Sequence, residues 1–285
     1  MRGSREMNEA QTPCDVLYHY TSLAGLTGIL KSGRIRATIS SLMNDRMETV
    51  HGKKAMDAVL SEDIERSLTR DDVREHSDDD PLFVACFSEA ENDLGMWRNY
   101  GPRAGYAIGF KVDALQRVRR MPGRGTGGVT LHKVSYKPDV YEENLRLEMD
   151  GHEGGSAGPA QLYTSTATVK DDIWESEREW RLIAMHHTYC GTGNGDEIQI
   201  RESSSGPVPY LDFYMWKSPG GNSRDDDQAV LKESPQQWID SIWIGPPNTD
   251  AGDRRIGVEL LLRSIGVGPH ESRDLVKVSE LPIRY

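Results

Sequence analysis

The chain has 285 residues, 36% of them hydrophobic, and a formal net charge of −11. That length suits one large domain or two small ones, and the acidic balance argues against passive binding to a nucleic-acid backbone, which needs clustered Lys and Arg. Cys14, Cys86 and Cys190 are too sparse and too widely spaced for a disulfide framework or a zinc motif. The opening MRGSREMNEAQTP has no apolar segment of the kind that directs secretion, and no run approaches the length of a membrane span. A cytoplasmic protein without a membrane role is expected.

Residues 1–13 read as a disordered or tag-like N-terminus, and residues 14–285 as a single domain. Val16 to Tyr20 predicts a strand. The following LAGLTGILKSG predicts an amphipathic helix with Leu23, Leu26, Ile29 and Leu30 inward, capped by Thr21 or Ser22 and closed by Gly33. Asp45 and Glu48 form a capping-box pattern for a helix running to about Leu60, and the charged stretch Ser61 to Asp80 reads as a solvated helix face and loop. PLFVACFS predicts a strand, EAENDLGMWRNYG a short helix or turn, and YAIGFKV a strand with Tyr106, Ile108 and Phe110 on one side.

Met121 to Gly128 is a glycine-arginine loop, VTLHKVSY a strand, and Glu142 to Ala160 a helix followed by a glycine-rich loop. A strand is expected to start near Glu179, and Gly191 to Pro209 and Ser218 to Asp227 read as loops. IDSIWIGPP predicts a strand, DAGDRRIGVELLLRSIG an amphipathic helix with Ile256, Leu260 and Ile265 near one face, and VKVSELPIRY an edge strand ending before Pro282. No dinucleotide-binding or P-loop glycine signature is present. Strands and helices mix without regular alternation, which gives an α+β fold class.

Two short stretches are chemically dense. In WESEREWR, Glu175, Glu177 and Glu179 alternate, so an extended chain would place them on one face with Arg181. Like charges so close raise one another's pKa, and Arg181 opposes this. A solvated edge strand tolerates the same pattern, but the run continues directly into apolar LIAM, as at the mouth of a cleft. In WRNYG, Trp97 and Tyr100 flank Arg98, a pairing that serves either as plain core or as a stacking platform for a flat ring. His19, Asp45 and His186 or His187 are the residues a metal-dependent hydrolase or nuclease would use. WESEREWR as a charged docking strand is the corresponding reading for a structural protein.

LYHYTSLAGLTGILKSGRI, SSLMNDRMET, CFSE, MWRNYG, YAIGF, KDDIWESEREWRL, IWIGPP and SELPIRY occur in that order. Together they resemble the bacterial domain-of-unknown-function 2971 family from about Leu17 to Tyr285. A more remote resemblance joins His19 with Ser22 three residues on, the GIL helix, VACFSE followed by MWRNYG, and Glu177-Arg178-Glu179 opening a strand. This order of histidine, tyrosine and glutamate is similar to the ADP-ribosyltransferase superfamily, in the branch of diphtheria toxin and the poly(ADP-ribose) polymerases.

That resemblance implies an ADP-ribosyltransferase-like split β-sheet core with peripheral helices and long loops. It also implies a function: NAD-dependent mono-ADP-ribosyl transfer to a macromolecular acceptor, protein or nucleic acid, in a bacterial toxin or phage-defence effector that could have an antitoxin or regulatory partner. Glu179 would be the catalytic carboxylate beside an oxocarbenium-like transition state, with Glu177 orienting the acceptor. His19, Tyr20, Thr21, Ser22, Phe87, Ser88, Trp97, Tyr100 and Arg181 would bind NAD, Tyr100 by stacking on nicotinamide and His19 through a ribose hydroxyl. No metal is implied. Tyr20 stands where the polymerase branch often has glycine, and Phe87 lacks the hydroxyl of the family's second aromatic. The alternative is a non-catalytic nucleotide-binding sensor.

Overall fold

A computed structural model of the chain describes residues 14–43, 52, 54, 56–57, 80–101, 105–120, 128–137, 141–143, 163–186, 198–203, 206–216, 233–246 and 250–282. The N-terminus to residue 13, the expected caps Asp45 and Glu48, residues 121–127 of the loop expected at Met121 to Gly128, and the loop expected at 218–227 lie outside these residues. Of the helix expected up to Leu60, residues 52, 54, 56 and 57 are described, and all four are helical.

The elements run β1 Val16–Thr21, α1 Leu23–Ser32, β2 Arg34–Ile39, β3 Leu82–Ser88, α2 Leu94–Asn99, β4 Tyr106–Lys111, α3 Val112–Leu115, β5 Thr130–Lys133, β6 Glu179–Met185, β7 Gln199–Ser203, β8 Gly206–Tyr214, β9 Ile239–Ile244, α4 Ala251–Ser264, α5 Pro269–Leu275 and β10 Val276–Val278. The fold combines helices with one large, mixed, open sheet. Its order is β10-β9-β4-β1-β3-β2-β8-β7, with β6 and β5 added beyond the far edge of β3. Pairing is antiparallel except between β9 and β10, so β10 is the edge strand expected before Pro282.

β3 carries the architecture. Its LFVACF run is apolar at nearly every position because both faces are covered. Phe83, Ala85 and Phe87 enter the main core with Leu17, Leu26, Phe110 and Phe213. Leu82 and Val84 enter a second core with Val169, Ile183 and Met185. One edge of β3 pairs with β6 over its whole length, from Leu82↔Met185 to Ser88↔Glu179. The other edge is shared. β1 meets it at Tyr18↔Ser88, and β2 meets it at Thr38↔Val84 and Ile39↔Phe83. Between those points, alongside Ala85, Cys86 and Phe87, β1 and β2 separate and the sheet opens.

Three expectations are corrected. Gly191 to Pro209 is not loop throughout: its described part enters the β7–β8 hairpin. Pro207 and Pro209 disguise β8, but both lie beyond its pairing with β2, which covers Tyr210 to Tyr214. A missing N–H is tolerated there, since only β7 lies alongside. In α4 the buried residues are Val258 and Leu262, with Ile265 just beyond, whereas Ile256 is 57% and Leu260 55% exposed. Apolar residues surround this helix, so its inward face cannot be read from spacing alone. In α1, Leu26, Ile29 and Leu30 are buried as expected, and Leu23 is exposed.

α1 ends as its sequence indicates. Ser22 Oγ accepts from the Gly25 N–H at 3.1 Å, and Gly33 has φ 68° while donating to the Ile29 carbonyl. A Cβ on Gly33 would stand 1.9 Å from the Trp216 carbonyl oxygen, whereas one on Gly28 would meet nothing. Gly33→Ala is therefore expected to cost about 2 kcal/mol, and Gly28→Ala to add about 0.5–1 kcal/mol, in urea unfolding. Equal midpoints for Gly33→Ala and the unaltered protein would contradict this cap.

Candidate functional site

The opening between β1 and β2 is a cavity of about 310 Å³, within the range of roughly 300–1,000 Å³ common for small-molecule sites. Its walls include His19 and Tyr20 from β1, Arg36 and Thr38 from β2, Cys86 and Phe87 from β3, Tyr100 at the end of α2, Lys170, Glu177, Glu179, and Arg201 from β7.

His19 spans the gap. Its Nδ1 lies 2.9 Å from the Cys86 carbonyl oxygen, on the part of β3 between its pairings with β1 and β2. A carbonyl only accepts, so Nδ1 carries the proton and Nε2 has a free lone pair. Burial lowers the His19 pKa, against the smaller opposing pull of the Cys86 carbonyl. The ring is thus held neutral and in one tautomer. Tyr20 fixes the neighbouring wall: its hydroxyl donates to the Ala90 carbonyl at 2.6 Å and accepts from the Asp93 N–H at 3.1 Å. Asp93 in turn caps α2, whose last turn delivers Tyr100.

The carboxylates arrive differently from the expectation. Asp172–Glu177 is a 3-10 helix, and Arg178 turns the chain through a left-handed conformation at φ 43°. The strand begins only at Glu179. Glu175 therefore does not share a face with the other two glutamates; it is exposed, while Glu177 and Glu179 are 4% and 5% exposed. A non-glycine residue rarely adopts a left-handed conformation, and here it lets two carboxylates separated by one residue enter the same cavity.

Both carboxylates are paired. Lys170 Nζ lies 2.7 Å from Glu177 Oε2 and 3.0 Å from Glu179 Oε2. The Arg181 Nε and Nη2 grip Glu179 from behind, both at 2.9 Å. Its Nη1 donates to the Ala167 carbonyl at 2.7 Å. Tyr100 Oη donates to Glu177 Oε1 at 2.6 Å, and the Tyr136 hydroxyl accepts from the Glu179 N–H at 2.7 Å. Burial by itself would raise the Glu179 pKa, but the Arg181 guanidinium and the Lys170 ammonium override it and bring the group to about 2. Arg181 thus opposes the upward push on Glu179 as expected, and together with Lys170 it prevails. Burial and the Glu177 carboxylate push the Tyr100 hydroxyl above its usual range, so it remains a donor.

Of the residues expected to bind a cofactor, His19, Tyr20, Phe87 and Tyr100 line the cavity with Glu177 and Glu179. Five do not. Trp97 is fully buried in a third core, edge-on to Tyr20 at 4.7 Å. Ser22 caps α1, and Thr21 pairs with Tyr106 at the end of β1. Ser88 donates to the Glu177 carbonyl at 2.5 Å and accepts from the Ala90 N–H. Arg181 lies behind Glu179. Ser88 and Arg181 thus position the carboxylates without facing the cavity.

Lys170, Arg36 and Arg201 are the residues that sequence reasoning missed. Lys170 opens the quoted KDDIWESEREWRL stretch, but no single helical or strand period places a lysine beside glutamates both seven and nine residues on. Arg36 and Arg201 lie on ordinary strands with no motif around them. Of the alternative metal ligands, Asp45 and His187 lie outside the described residues, and His186 is buried edge-on to Phe83. Among the described residues no group of three His, Cys, Asp or Glu side chains is placed to hold a metal ion, and no helix is long and apolar enough to cross a membrane.

Residues 96–182 match the family model described as protein of unknown function DUF2971. The DUF2971 match begins in α2 and ends in β6. It includes Tyr100, Lys170, Glu177, Glu179 and Arg181, and leaves out His19, Arg36 and Arg201. No curated protein and no solved structure matches the chain.

The depressed Glu179 pKa has a measurable consequence. A carboxyl whose folded pKa lies below its unfolded value stabilises the fold above the unfolded pKa, and loses that contribution as pH falls through the folded one. The stability gap between the protein and a Glu179→Gln variant is expected to be full above about pH 4.5 and to close towards about pH 2. A gap that stays constant over that range in urea titrations would show that Glu179 is not held ionised by Arg181 and Lys170.

Proposed function

We propose that the protein binds NAD in the cavity between β1 and β2 and transfers ADP-ribose to a macromolecular acceptor. One observation carries this reading: His19, Tyr100 and Glu179, from three separate parts of the chain, line a single cavity where the sheet opens. They are the residues that the resemblance to ADP-ribosyltransferases assigns to ribose, nicotinamide and catalysis. A split sheet is also the core that this resemblance implies.

The chemistry fits the residues. The bond between the ribose C1′ and the nicotinamide nitrogen breaks, and the ring leaves with the electron pair as neutral nicotinamide. The ribose becomes oxocarbenium-like, and an acceptor nucleophile bonds to C1′ while releasing its proton to water. His19 Nε2 accepts from a ribose hydroxyl. Glu179 is held ionised, so it can accept a second ribose hydroxyl and stabilise the developing positive charge. Tyr100 offers aromatic surface to the nicotinamide ring. Glu177, at the Tyr100 side, orients the acceptor. The toxin or phage-defence setting belongs to the same proposal and rests on the resemblance.

A second reading, a nucleotide sensor without catalysis, is favoured by one feature. Glu179 is already bound by two cations, which offset the charge it offers to an oxocarbenium ion. The two readings separate on free nicotinamide, measured with and without bacterial lysate. Transfer is expected to release nicotinamide in a lysate-dependent manner and to lose at least about a hundredfold in rate in Glu179→Gln, as when a preorganised electrostatic group is removed. Binding of NAD, seen as a raised melting temperature, without release in either condition would establish the sensor instead. The absence of both nicotinamide release and a thermal shift would sink the NAD reading.

A further inference from the structure

The far end of the cavity, away from the glutamates, carries an arginine pair. Arg36 on β2 and Arg201 on β7 flank β8 and point to the same side of the sheet as Thr38 and Tyr210, opposite the core residues Ile35, Ala37, Leu211 and Phe213. The Arg36 guanidinium lies over the Tyr210 ring, 4.7 Å from its centroid. Arg201 Nη2 reaches the Thr38 hydroxyl at 3.5 Å. Stacking and this polar contact orient both groups at the cavity wall.

Their charge is what distinguishes them. Arg34, two residues before Arg36 on the same face, is neutralised by Asp212 at 3.3 Å. Among the described residues no carboxylate lies within ion-pair distance of Arg36 or Arg201. Deeper in the cavity, Glu177 and Glu179 are matched by Lys170 and Arg181. The arginine pair therefore adds two formal positive charges to the cavity wall, in a chain whose net charge is −11. An oriented guanidinium pair of this kind suits phosphate oxygens.

We propose that Arg36 and Arg201 form a phosphate clamp that holds the diphosphate of a nucleotide ligand. This deepens the NAD reading and rests on it for the identity of the ligand. The clamp would set the direction of the dinucleotide, with its diphosphate at β2 and β7 and its nicotinamide ribose at His19 and Glu179.

The test is calorimetric titration of the protein with adenosine, ADP and nicotinamide riboside, and of Arg36→Ala and Arg201→Ala with the same ligands. Arg34→Ala serves as the control for altering an arginine on this face. Each cavity variant is expected to weaken ADP about tenfold or more, while nicotinamide riboside, which has no phosphate, binds as before. In the unaltered protein ADP is expected to bind at least about tenfold tighter than adenosine, with the margin shrinking as salt rises. Equal affinity for adenosine and ADP, or ADP binding unchanged in both cavity variants, overturns the clamp. Arginine-dependent ADP binding without any nicotinamide riboside binding keeps the clamp and removes the NAD reading. Nicotinamide riboside and NAD binding that ignores the arginines does the reverse. A protein that binds none of the ligands loses both.

Discussion

Four charged side chains at the start of β6 set the terms for everything around them. Lys170, Glu177, Glu179 and Arg181 are between 1% and 5% exposed, and removing such groups from water costs several kcal/mol each before any attraction is counted. They are tolerated because the pairing is mutual: Lys170 bridges both glutamates, Arg181 holds Glu179 through two bonds, and Tyr100 satisfies Glu177. Loss of one member leaves another charge buried and unmatched. The network therefore ties α2, the Asp172–Glu177 turn and β6 into one geometry.

The second constraint is the opening in the sheet. β3 pairs fully with β6 but divides its other edge between β1 and β2. The Cys86 carbonyl lies there, and a buried backbone carbonyl calls for a hydrogen-bond donor. His19 supplies the bond. The same bond fixes the imidazole tautomer and turns its basic nitrogen away from Cys86. One side chain, the histidine between the two tyrosines of LYHYTS, thus bridges to β3 and furnishes the cavity. The tyrosines anchor their own surroundings, Tyr20 through Ala90 and Asp93.

Much of this was legible in the sequence where local physics governs. The helix after Ser22, its stop at Gly33, the buried run of β3 and the start of β6 at Glu179 follow from capping, composition and periodicity. What failed did so for identifiable reasons. The alternation of Glu175, Glu177 and Glu179 assumes an extended chain, and the left-handed Arg178 breaks it. β8 was hidden by prolines that only its position relative to β2 makes tolerable. Trp97, adjacent in sequence to the cavity-lining Met96, turns into the core instead. Lys170, Arg36 and Arg201 join the site through tertiary placement alone, so no spacing announces them.

The central claim is that the opening between β1 and β2 is where a dinucleotide binds. A crystal structure of the Glu179→Gln variant grown with NAD tests it most directly. The account expects nicotinamide against Tyr100, a ribose hydroxyl on His19 Nε2, and the diphosphate at Arg36 and Arg201. NAD bound elsewhere on the protein, with this cavity holding only solvent, would contradict it.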